Sequence, residues 1–209
     1  MKSTADMSFD ELVDAAIDDV DVHDDIVRRF RQEVAVLVVD FSSMRKRTDA
    51  FGIVHALTVQ RAAMKAYLPA ILANRGKVYK TVADTCFAVF EEPLSALLAA
   101  MDGNRLMVDF NAERVGDIEE GIPGAPIHPQ VGLGWGESLV VPDENVYGSD
   151  VNRAFILGED VAGSKEILAS DDFTAAIGVP PPGLGVFTAP HDRVQALGFS
   201  FHIFRDYRE

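Results

Sequence analysis

Residues 34–40 read VAVLVVD, an unbroken run of aliphatic, mostly β-branched side chains closed by an acid. A run with no polar face suits a strand buried on both sides, in the middle of a sheet. Asp40 then stands at the C-terminal edge of a central strand, where the chain leaves the core. The rest of the sequence has to supply neighbouring strands and covering layers.

The segments that follow provide them. Over 48–74, Phe51, Val54, Leu57, Met64, Leu68, Ile71 and Leu72 keep helical spacing, with Pro69 the place for a kink and Arg75-Gly76 a stop signal. VYKTV (78–82), ADT and CFAVF (86–90) read as a hairpin with Asp84 at its tip. Pro93 opens a second helix that runs past Asp109, and 116–129, rich in Gly, Pro and acids, reads as loop. Strands at 130–135 and 137–141, a helix near 150–161, a strand at 166–170, a turn at PPPG (180–183) and a last strand within 198–207 complete the pattern. The order predicts an α+β fold, a ferredoxin-like βαββαβ core with extra strands and helices gathered on one sheet face. The other face then requires cover, and a two-fold partner subunit supplies it.

Residues 1–33 hold ten acids and four bases with apolar residues at helical intervals, an acidic helical arm. We divide the chain into this arm (1–32) and one larger domain (33–209), which suits a length of 209 residues. The net charge of −14 opposes nucleic-acid backbones and anionic lipid surfaces as partners. No apolar run approaches the ~18 residues of a membrane span. A single cysteine, Cys86, and a start without the basic flank and apolar stretch of a signal peptide point to a reducing cytoplasm.

Asp40 and Asp84 can meet at one sheet edge. Read as residues alone they either stop strands or form a paired carboxylate site. Hard oxygen ligands favour Mg²⁺ or Mn²⁺, with substrate phosphates completing the shell. GLGWG (132–136) lies between strand patterns with no helix start to receive a phosphate, so its glycines read as close-packing positions at a subunit interface. His23, His55, His128, His191 and His202 show no paired ligand spacing and read as structural or surface groups, as does Cys86.

Several segments together resemble the catalytic domain of class III nucleotidyl cyclases, the adenylate and guanylate cyclase family. AVLVVDFSSM looks like their first metal strand, GKVYKTVADTCFAVF is similar to their lysine–threonine–aspartate hairpin, VGLGWGE to their glycine-punctuated strand, and ENVYGSDVNRA to the segment ending in V-N-x-A. The motifs keep family order over about 33–170. The resemblance implies a homodimer with two sites, in which Asp40, Asp84 and the Phe41 carbonyl of one subunit hold two Mg²⁺ or Mn²⁺ ions. Lys80, Asn145 and Asn152 of the other subunit would meet the same nucleoside triphosphate, Lys80 and Asn145 at the base and Asn152 at ribose or phosphate. The implied product is a 3′,5′-cyclic nucleotide, with ATP as substrate because the lysine is present.

The chain departs from the family pattern in three places. Asn145 replaces an aspartate that reads adenine, and an amide both accepts and donates. Ile156 stands where an arginine stabilises transition-state charge, and Arg153 points ~100° away from Asn152 on a helix. Ser43-Met44-Arg45 replaces G-F-T, leaving Arg45, Lys46 and Arg47 either to meet the triphosphate or to form a solvated basic turn. Asn145 therefore keeps open a pyrimidine cyclase acting on UTP or CTP, of the kind found in bacterial antiviral systems. Ile156 keeps open a catalytically impaired nucleotide-binding dimer.

Overall fold

The computed structural model describes residues 3–41, 44–113, 126–191 and 198–207. Strand β1 (Arg31–Phe41) lies between β3 (Thr85–Phe90) and β4 (Pro129–Val141), antiparallel to both. Its alternation sends Ala35, Leu37, Val39 and Phe41 into one core and Val34, Val36 and Val38 into another, so both faces are buried. Helices α3 (Met44–Phe51) and α4 (Ile53–Ala73), strand β2 (Lys77–Val82) and helix α5 (Pro93–Ala112) complete a βαββαβ unit with strand order β2-β3-β1-β4. The ferredoxin-like core is therefore present. Tyr67, Ile71, Leu97 and Met101 of α4 and α5 fill the larger core on one face.

Beyond β4 the sheet continues through β6 (Ile167–Ser170), parallel to β4, then β8 (Phe201–Asp206) and β7 (Gly185–Phe187). Strand β5 (Asn145–Tyr147) folds back on the end of β4, and helix α6 (Ser149–Phe155) follows it, continuing into a π-helical segment, Ile156–Val161. Helix α7 (Asp171–Ile177) adds Phe173 to the larger core. Strands β5 and β7 and helix α7 have only three to seven residues each. That is too short for a period to show in the sequence.

Three expectations change. The helix foreseen over 48–74 is two helices, broken at Gly52, whose φ of 82° is a left-handed conformation that glycine adopts without a side-chain clash. The two strands expected at 130–135 and 137–141 are one, because Gly136 stays in register opposite Val34. Finally, the second sheet face is covered in part by the chain itself. Helix α6 and the π-helical segment lie across Gly132, Gly134 and Gly136, which alternation places on that face. A Cβ on Gly132 would come 2.1 Å from the Ala154 carbonyl oxygen, and one on Gly134 2.4 Å from that of Asp150. Gly132 and Gly134 thus admit the chain's own backbone, and Gly136 its Asp150 side chain.

In the arm, α1 (Phe9–Ala16) starts with a capping box between Ser8 and Glu11, and α2 (Asp21–Phe30) leads straight into β1. Leu12, Ile26 and Phe30 pack with Val141, and Phe9 stacks on Tyr147 at 5.5 Å. This contact is at the end of β1 opposite Asp40. The loop foreseen at 116–129 falls largely outside the described residues, as does Ser43. No described helix is long and apolar enough to cross a membrane.

Candidate active site

The end of β1 and the β2–β3 turn meet because of strand register. Val39 pairs with Cys86 and Val82 with Thr85, so Asp84, in the tight turn between them, comes up beside Asp40. Ala83 takes φ 49° in that turn, and Gln60 of α4 donates its side-chain amide to the Ala83 carbonyl, fixing the tip. Asp40 and Asp84 line one cavity of about 540 Å³ together with Lys80, Thr85, Phe87, Phe155 and Glu159. The sequence-derived pair therefore converges.

Its electrostatics follow from that convergence. Burial, then the charge of Asp84 and, more weakly, that of Glu159, push the Asp40 carboxyl up from 3.8 to about 7, against the Phe41 backbone amide and the Thr85 hydroxyl, which favour the anion. All the acidic donors here are hard oxygens, and their repulsion is what a bound divalent cation would relieve. The Asp40 and Asp84 carboxylates that line the cavity are the donor type that Mg²⁺ or Mn²⁺ takes. Among the described residues no group of three or more His, Cys, Asp or Glu side chains is gathered to hold an ion by itself.

The other expected residues are placed differently. Lys80, exposed on β2, borders the same cavity as the carboxylates of its own chain. Asn145 pairs with Val141, whereas Asp40 pairs with Gln130, so the two register with opposite ends of the 13-residue β4. Asn152 is exposed on α6, and Arg45 is exposed in the first turn of α3; neither lines the cavity, nor does Asn145. The Phe41 ring is buried edge-on to Tyr67 at 5.9 Å, which holds the backbone next to Asp40 in place.

No arginine stands among the described residues that line the cavity. Ile156 packs with Leu157, Leu168 and Phe201. Arg153 is engaged elsewhere, bonded to Asp150 at 3.1 Å and Asp172 at 2.6 Å, with its guanidinium over the Phe199 ring. Lys80 is the one cation among the described residues that line the cavity.

Glu159 was missed by the sequence reading. It accepts a 2.8 Å hydrogen bond from the Thr85 hydroxyl, which also lies 3.4 Å from Asp40 Oδ1. No local signal pointed to it, because the π-helical winding of Ile156–Val161 departs from the α-helical period that begins at Ser149. The histidines hold structural or surface places, His202 between the Thr188 carbonyl and Asp171, and burial pushes the Cys86 thiol up to about 11, leaving it unreactive.

No protein-family model and no curated protein sequence matches the chain. Solved structures do. An adenylate/guanylate cyclase/hydrolase from Silicibacter pomeroyi superposes with a TM-score of 0.65 at 19% identity, covering 83% of this chain and 95% of that one. The adenylyl cyclase CyaB from P. aeruginosa gives 0.67 at 15% identity over 84% and 95%. The guanylate cyclase domain of RhGC from Catenaria anguillulae, solved with GTP, gives 0.63 at 18% identity over 84% and 97%.

Proposed function

The chain has the fold of adenylate and guanylate cyclase catalytic domains, and we propose that it is a metal-dependent nucleotidyl cyclase. It converts a nucleoside triphosphate, ATP before the others, to the 3′,5′-cyclic nucleotide and pyrophosphate in a cytoplasmic homodimer. The observation that carries this reading is the convergence of Asp40 and Asp84 on one cavity, with Asp40 pushed up to about 7 by burial and like charge. Such a pair is unfavourable without a cation. Asp40, Asp84 and the Phe41 carbonyl would hold Mg²⁺ or Mn²⁺, which when bound favours loss of the 3′-hydroxyl proton and stabilises charge on the phosphates.

The chain's own groups bind and orient. Lys80 donates to an acceptor on the base, Asn145 completes base recognition, and Asn152 hydrogen-bonds ribose or phosphate. Arg45, exposed in the first turn of α3 and outside the cavity, would meet the triphosphate from there. Phe87 and Phe155, 5.4 Å apart, give the cavity an apolar wall that limits water. Asn145 and Asn152 stay outside the cavity that holds Asp40 and Asp84. A site needing all four is completed by a second copy, which supports the two-fold dimer.

A second reading, a nucleotide-binding dimer without turnover, is favoured by Ile156 and by the engagement of Arg153 with Asp150 and Asp172. One experiment tests both. The purified protein is incubated with each of the four ribonucleoside triphosphates and Mn²⁺, and products are resolved by chromatography. A cyclic product that disappears in Asp84→Ala establishes the cyclase, and its identity gives the base, a cyclic pyrimidine assigning the Asn145 amide to UTP or CTP. Metal-dependent nucleotide binding without product establishes the second reading.

A further inference from the structure

We propose that Glu159, acting through the Thr85 hydroxyl, is a positioning residue that sets Asp40 for a divalent cation; the inference rests on the metal-dependent reading above. Thr85 has one hydroxyl proton and two carboxylate neighbours, Glu159 Oε1 at 2.8 Å and Asp40 Oδ1 at 3.4 Å. The shorter, stronger contact takes the proton. Among the described residues that line the cavity Thr85 carries the one side-chain hydroxyl, and Glu159, at the shorter distance, takes the larger share of its hydrogen bond from Asp40, leaving Asp40 Oδ1 more open to a cation. Its own charge adds to the attraction at the cavity.

Both partners of the bond are held by the fold. Thr85 is buried at the first position of β3, in register with Val82 across the hairpin. On the other side, Gly158 lies flat on the sheet, where a Cβ would come 2.9 Å from the Val38 carbonyl oxygen and 3.1 Å from the Gly132 nitrogen. The next residue is Glu159, so its backbone origin is fixed against β1 one strand-pair before Asp40. The π-helical winding of Ile156–Val161 sets its direction, and such single-turn irregularities concentrate at functional positions. If Glu159 merely tied this segment to β3, a neutral glutamine could accept the same Thr85 hydrogen bond.

The test is Mn²⁺ affinity of the full chain without nucleotide, followed by electron paramagnetic resonance. Glu159→Gln is expected to weaken binding about tenfold and Glu159→Asp to recover part of it. Thr85→Val, which unties the Glu159 carboxylate from its place beside Asp40, is expected to weaken it about threefold, and the double variant Thr85→Val/Glu159→Gln to bind no more weakly than Glu159→Gln alone, because Thr85 then has no charged carboxylate left to hold. Thermal unfolding in chelator checks that each variant is folded; should Glu159→Gln fail that check, Thr85→Val decides alone. Unchanged affinity in the folded variant, with Asp84→Asn losing the ion, overturns the role of Glu159 and leaves the metal reading standing. Unchanged affinity in Asp84→Asn as well overturns the metal reading itself.

Discussion

Asp40 is the residue at which the strand and the site impose opposite demands. The strand buries it, while Asp84 and Glu159 surround it with like charge, so its carboxyl sits at about 7 instead of 3.8. For an acid raised on folding, stability is fully present below the unfolded value and is lost as pH rises through the folded one. The metal-free protein should therefore lose stability between about pH 4 and pH 7 through this group. A shift of this size has a ceiling of about 4 kcal/mol, and partial solvent access brings it to about 2 kcal/mol. Asp40→Asn should accordingly unfold roughly 5 °C higher than the parent at pH 8 in chelator, with the difference vanishing near pH 4, as read by calorimetry. Mn²⁺ should stabilise the parent at pH 8 and leave Asp40→Asn almost unmoved.

At the scale of elements, the decisive contact is that of α6 and the π-helical segment on β4. It exists because alternate residues of β4 are glycine, and it carries Phe155 and Glu159 to the cavity wall. Gly132→Ala would set a methyl against the Ala154 carbonyl and the Gly158 nitrogen, both backbone atoms. It should cost about 2–3 kcal/mol in urea unfolding, and Mn²⁺ affinity should fall with it because Glu159 moves. The glycine spacing was legible in the sequence as a close-approach signal. What approaches was not, because a seven-residue helix has too few turns to declare which sheet face it returns to. The hairpin shows the opposite case. Two short β-branched and aromatic runs about a three-residue ADT placed Asp84 correctly, since a tight turn fixes its own register.

Across the whole molecule, the two ends of β4 separate Asp40 from Asn145. If each site draws on two chains, variants defective on opposite sides should rescue one another. Asp84→Ala and Asn152→Ala, each inactive alone, should recover roughly a quarter of the parent's cyclase activity after mixing and re-equilibration, because half of randomly paired dimers are mixed and each holds one intact site. No recovery would place the whole site within one chain.

The sequence by itself determined the buried central strand, the βαββαβ order and the places of Asp40 at a strand end and Asp84 in a tight turn, from which the two can meet. These rest on local periodicity and on register carried along the backbone, which neighbouring residues encode. Only the tertiary structure decided that α6 covers the second face, that Arg153 is taken by Asp150 and Asp172, and that Glu159 reaches Thr85. Thr85 and Glu159 lie 74 residues apart, and contacts at such separation depend on how elements stack. No pattern within either segment records it.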